Sequence, residues 1–154
     1  MTATESQATP LRPSSIYPVI CTNDVTSSAA FYTQYFGFEV TFEADWYVSL
    51  RSSEAPSFEL AFVQTSHSSV PENFRQAAKG SLINIEVEDV DAVYASLQDA
   101  NLNMPLTLRS EPSGQRHFMV EDPNGLLVDV ITIIPPSPEF AAQYSETVKD
   151  ELFE

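Results

Sequence analysis

The sequence predicts an α+β fold in which two βαβββ modules form a cupped mixed sheet, with a C-terminal helix after them. Three observations carry that expectation. A strand-to-helix corner occurs twice, as Asn23-Asp24-Val25 and Glu88-Asp89-Val90, with the two aspartates 65 residues apart. Each corner follows a short apolar run and precedes a helical stripe and three more strand-like segments. One such unit cannot hide both faces of a curved sheet, whereas two side by side can.

Residues 1–14 are rich in Thr, Ser, Gln and Pro and read as a flexible N-terminal arm. Module one is expected over 15–64. Tyr17 to Thr22 is an apolar strand run, and Asn23-Asp24 offers an N-cap. Val25, Ala29, Tyr32 and Phe36 recur at helical spacing, and Gly37 suits the left-handed cap that ends a helix. Phe38–Glu43, Trp46–Arg51 and Phe58–Gln64 read as strands, separated by an Ala44-Asp45 turn and a polar break at Ser52–Ser57. Residues 65–80 are polar and form a linker, with a short helix expected over Glu72–Ala78. Module two, 81–134, repeats the pattern. Leu82, Ile83, Ile85 and Val87 mark a strand, Asp89 a cap, and Val90, Val93, Tyr94, Leu97 and Ala100 a helical stripe. Strands follow at Met104–Leu108, Gln115–Glu121 and Leu126–Ile134, with a strong turn at Asp122-Pro123-Asn124-Gly125. Residues 135–154 are expected to form one helix, capped by Ser137-Pro138-Glu139 and striped by Phe140, Tyr144, Val148 and Leu152.

Composition narrows the function. Seven Lys and Arg against 22 Asp and Glu leave a net charge of −15. That surface repels phosphate backbones and anionic lipid, so neither nucleic acid nor a membrane is an expected partner. It attracts cations, although a merely solvated acidic surface has the same composition. Cys21 is the single cysteine, which excludes an intrachain disulfide and zinc-finger chemistry, and its apolar neighbours suit a buried strand thiol. The first fifteen residues resemble neither a signal nor a transit peptide, and no apolar window is long enough to span a bilayer, so a cytoplasmic protein is the expectation. Gly-rich phosphate loops and GxSxG elbows are absent from the sequence.

Two stretches are informative together: Ala30-Phe31-Tyr32 with Phe36-Gly37-Phe38-Glu39-Val40 after the first corner, and Arg116 to Val130 around Asp122-Pro123-Asn124-Gly125. In this order and at this gap they resemble the glyoxalase / bleomycin resistance / dioxygenase superfamily, also called vicinal oxygen chelate (VOC) proteins. The likeness covers about residues 15 to 134. It implies the VOC fold, often as a homodimer, and leaves function open, because members include metal-dependent lyases, isomerases and dioxygenases as well as metal-free drug binders. Metal-dependent members place one ligand on the first and one on the last strand of each module. Counted from the repeated corners, these places hold Tyr17 and Glu59 in module one, and Leu82 and Asp129 in module two. Leu cannot ligate, and a transition metal wants imidazole or several carboxylates.

The cup interior is expected to receive Tyr17, Glu59 and Asp129 as ligand-binding residues, with Trp46 and Asn84 as further contacts. Inward carboxylates need partners. A cationic ligand supplies them on one reading; Tyr17 or His117 does so on the other. His117 either faces the cup as a base or hydrogen-bond donor or lies on a strand surface. Arg116 either grips an anionic ligand or offsets Glu121. The expected function is a metal-independent small-molecule binding protein of the glyoxalase/bleomycin-resistance type, taking a cationic or aromatic compound and using no cofactor. One alternative is a divalent-metal-dependent lyase, isomerase or dioxygenase with Glu59 and Asp129 as metal ligands. The other is a structural or regulatory homodimer without ligand.

Overall fold

A computed structural model describes residues 9–54 and 56–152; the first eight residues of the expected arm lie outside them. Module one runs β1 (Val19–Thr22), α1 (Val25–Tyr35), β2 (Phe38–Glu43), β3 (Tyr47–Ser52) and β4 (Glu59–Gln64). Module two runs β5 (Leu82–Glu86), α2 (Val90–Leu97), β6 (Leu106–Glu111), β7 (Gln115–Glu121) and β8 (Leu127–Ile133). Each module carries its own mixed sheet, in the orders β1-β4-β3-β2 and β5-β8-β7-β6. In each, the first strand lies parallel to the last and the other pairs are antiparallel. The duplication therefore holds strand for strand.

The caps explain where the helices begin. Asp24 accepts the Ser27 N–H at 3.0 Å, and Asp89 accepts the Ala92 N–H at 3.1 Å, so each aspartate satisfies a donor that the first turn leaves open. Gly37 follows α1 at φ +70°, where a side chain would be strained. Alternation then sorts the strands into two faces. Ile20, Val48, Leu50, Leu60 and Phe62 in module one, with Phe118, Val120, Val128 and Val130 in module two, join one core with the helices. Tyr32, Phe62 and Phe118 are fully buried, each removal from water contributing roughly 2 kcal/mol. Helix α1 packs on this core face of the first sheet and α2 on that of the second.

The two modules are joined by the turn that ends module two's third strand. Asp122 closes the turn by accepting the Asn124 and Leu126 N–H groups at 2.8 and 2.9 Å. Its second oxygen accepts the Tyr32 hydroxyl of α1 at 2.8 Å. Asn124 donates to Ser28 at 3.0 Å and accepts from Thr22. Thr22, Ser28 and Tyr32 are fully buried. Burial and the Asp122 charge push the Tyr32 hydroxyl far above its ordinary pKa.

Three expectations need correction. The C-terminal segment is two short helices, α3 (Pro138–Ala141) and α4 (Glu146–Leu152), rather than one with a continuous stripe. The Gln143 N–H turns back to Phe140 and the Tyr144 N–H to Ala141, tightening the end of α3, and the Ser145 carbonyl then accepts from Val148 and Lys149 to start again. The linker's expected helix is only a 3-10 turn, Glu72–Phe74, because the Ala78 N–H donates to the Cys21 carbonyl at 2.9 Å and draws the chain along β1. Strand β6 begins two residues later than expected and carries a register shift between Leu106 and Arg109.

Tyr32→Phe leaves one Asp122 oxygen without its buried donor and is expected to cost about 1–3 kcal/mol in urea unfolding, whereas a loss within error would show that the modules do not depend on this bond. Asp24 supplies a second test. Its bonds to Ser27 hold the carboxyl below the usual range, so the stability it adds is complete above its unfolded value and is lost as pH falls through the folded one. Asp24→Asn keeps a capping acceptor but not the charge. Stability at neutral pH should change little, and the loss below about pH 4 should become shallower; an unchanged acid limb would contradict the assignment.

Candidate functional site

The face of module two opposite α2 gathers a polar chain. Strand register places Asn84 beside Asp129, Asp129 beside Met119, and His117 beside Ile131 and Arg109. The His117 Nδ1 lies 2.8 Å from Asp129 Oδ1, and its Nε2 lies 3.2 Å from Glu111 Oε1. Arg109 pairs with the same Glu111 oxygen. His117 is 5% exposed and Asp129 4%, so water does not replace these contacts. A neutral imidazole donates from one nitrogen only, so both contacts are hydrogen bonds only when Asp129, His117 and Glu111 together hold one extra proton. Burial pushes the Asp129 carboxyl up, against the lowering effect of His117. The hydrogen bonds from His117 and Arg109 hold Glu111 low.

Along the seam between the modules, β5 pairs only with β8. Its free edge meets the segment leading into β1 and leaves two hollows. One, of about 420 Å³, is lined by Phe36, Phe38, Phe58, Glu59, Asn84 and Glu86. The other, of about 460 Å³, lies between Pro18–Ile20 and Ser81–Asn84.

The expected site residues divide between these places. Asn84 joins them, since it lines the seam and pairs with Asp129. Glu59 stands at the seam and accepts the Ser15 hydroxyl at 3.1 Å; Tyr17 is half-exposed just ahead of β1. Trp46 is spent elsewhere, stacked on the linker's His67 with ring centroids 3.7 Å apart. Arg116 grips Asp91 of α2 at 2.8 Å. The placing of Glu59 and Asp129 as counterparts is corrected by the register. Val19 and Asn84 each stand five residues before the capping aspartate; Val19 pairs with Ala61 and Asn84 with Asp129. Ala61 is therefore the counterpart of Asp129, and the two acids sit at different levels of separate sheets.

The sequence reading missed Glu111 and Arg109. The register shift in β6 reverses the face of everything after it, so Arg109 and Glu111 reach His117 while Leu108 packs on the core. Alternation counted from Leu106 puts them on the wrong face.

A family model for the glyoxalase/bleomycin resistance protein/dioxygenase superfamily matches residues 15–130. The chain belongs to that superfamily. Its fold is similar to several members in solved structures. A glyoxalase/bleomycin resistance protein/dioxygenase from Nocardioides is 19% identical, with 84% of this chain and 90% of that chain covered and a TM-score of 0.66. A lactoylglutathione lyase from Agrobacterium tumefaciens is 21% identical over 79% of this chain and 95% of that one, with a TM-score of 0.63. A bleomycin resistance determinant encoded on the transposon Tn5 is 18% identical over 79% and 98%, with a TM-score of 0.58. At these identities the likeness shows the fold alone. No curated relative matches the chain.

Some VOC members use a divalent ion, and the donors here do not fit one. Both ring nitrogens of His117 face carboxylates, and among the described residues no three His, Cys, Asp or Glu side chains are grouped to hold a metal.

Removing His117 alone strands Asp129. His117→Leu is expected to destabilise by about 2–4 kcal/mol, and Asp129→Leu in the same chain to recover most of it, as read by chemical denaturation. Full additivity of the two losses would mean the pair is not coupled.

Proposed function

We propose that the protein binds a small cationic compound with an aromatic or apolar body in the seam hollow, without a metal ion. The supporting observation is the meeting of Phe36, Phe38 and Phe58 with two carboxylates, Glu59 and Glu86, around about 420 Å³. Aromatic faces and carboxylates both favour a cation, and a net charge of −15 draws one toward the chain. Asp129 drops out as a direct ligand contact because His117 already partners it; Glu86 takes its place, and Asn84 supplies a neutral hydrogen-bonding group. Among the described residues no group of His, Cys, Asp or Glu side chains supports the metal-dependent lyase, isomerase or dioxygenase reading.

A homodimer belongs to the same proposal. Edge strand β2 leaves Val40 and Phe42 exposed, surface that a second subunit would cover. No helix among the described residues is long and apolar enough to cross a membrane.

Calorimetry with ethidium, a planar aromatic cation, tests the reading. Binding should survive EDTA treatment, and Glu59→Gln and Glu86→Gln should each weaken it roughly fivefold, the equivalent of about 1 kcal/mol per partly exposed charge. A protein that Zn²⁺ or Ni²⁺ stabilises and ethidium does not would overturn the proposal in favour of the metal-dependent alternative.

A further inference from the structure

Beside β1 the linker leaves a hollow of about 660 Å³, bounded by Cys21 and Asn23 and by Phe74, Gln76 and Lys79. The bond from the Ala78 N–H to the Cys21 carbonyl, 2.9 Å, fixes the linker against the strand. Charge is distributed unusually here. Arg51, Arg109, Arg116 and Lys149 are each held by an acidic side chain. Among the described residues, Arg12, Arg75 and Lys79 are in no ion pair, although the chain has 22 acids, and of these three Lys79 lines the hollow. Arg75 donates its Nε to the Val70 carbonyl at 2.8 Å, which leaves Lys79 as the cation of the hollow. Phe74, 70% exposed, leaves an aromatic ring in water at the same place. Asn23 uses its side-chain oxygen on the Thr65 hydroxyl, so its amide N–H groups remain donors.

We propose that this hollow, lined by Lys79, Phe74, Asn23 and Gln76, is a second binding site that takes an aromatic carboxylate. The ammonium and the amide donors match a carboxylate, and the ring covers an aromatic body. The volume lies within the range of small-molecule sites, about 300–1,000 Å³. The ligand has the opposite charge to the one proposed for the seam, and the two sites share neither a carboxylate nor the seam phenylalanines.

Cys21 is the only thiol and lines the hollow, so it reports occupancy directly. The full chain is treated with N-ethylmaleimide and alkylation is followed by intact mass, with 2-naphthoate or 2-naphthylmethylammonium present. The naphthoate should slow alkylation saturably, at least fivefold, while the ammonium compound should not. Lys79→Met, an exposed change checked by circular dichroism, should abolish the protection, and Glu59→Gln should leave it intact. An unreactive thiol in the free protein, no protection, equal protection by the cation, or protection that persists in Lys79→Met would each overturn the assignment. Ethidium binding at the seam is measured separately, so failure of one site is distinguishable from failure of the other.

Discussion

The geometry of the molecule hangs on the docking of one turn. Asp122 closes its own loop with two backbone N–H groups and then reaches across to Tyr32, while Asn124 lies between Thr22 and Ser28 at the start of α1. Every side-chain hydroxyl in this set is fully buried, and among the described residues no buried side-chain polar atom lacks a partner. Apolar packing alone is non-directional and would tolerate sliding of one sheet on the other. Buried hydrogen bonds of fixed length do not. The turn thus sets where module two lies against module one, and with it how far the β5 edge stands from Pro18 and Phe58. The seam hollow is a consequence of that spacing.

Much of this was legible in the sequence because its causes are local. Asp24 and Asp89 cap helices within three residues of themselves, Gly37 sits at a positive φ that other residues avoid, and the Asp122–Gly125 turn is written in its own four residues. What escaped was non-local. A register shift in β6 is decided by pairing with β7, and it alone brings Glu111 to His117. The break between α3 and α4 depends on which carbonyls the chain ends find, although the spacing of Phe140, Tyr144 and Val148 suits an unbroken helix. The supposed symmetry of Glu59 and Asp129 failed because counting along a motif cannot reveal which residue a parallel strand sets opposite Val19.

Two carboxylates that the sequence could not tell apart acquire different roles from their surroundings. Asp129 is buried, its ionised form disfavoured by lost hydration and supported by His117, and the bond chain through Glu111 to Arg109 alternates acid and base to the sheet's edge. Such a chain is internally satisfied and offers a guest little, since a guest bonds to it only by breaking a hydrogen bond already made. Glu59 is exposed, stands opposite Arg51 in the sheet register, and accepts a serine hydroxyl of the N-terminal segment. Its charge is hydrated when free, and a cation that brings its own apolar body exchanges that water for a stronger partner while covering the phenylalanines beside it.

The same reasoning separates the cations. On a chain with three acids for every base, four of the seven arginines and lysines are seen to meet a carboxylate, and Lys79 of the linker is not among them. On the sheet and helix surfaces Arg51 meets Glu39 across β2 and β3, and Arg116 meets Asp91 on α2. In the linker the backbone is tied to β1 at Cys21, and Arg75 donates to the Val70 carbonyl rather than to a carboxylate. Lys79 is left beside neutral amides and one aromatic ring. On a molecule whose total charge favours cations, the lining of this recess carries a single charged side chain, and it is positive; recognition at contact distance follows the nearby charge rather than the total once salt screens the remainder.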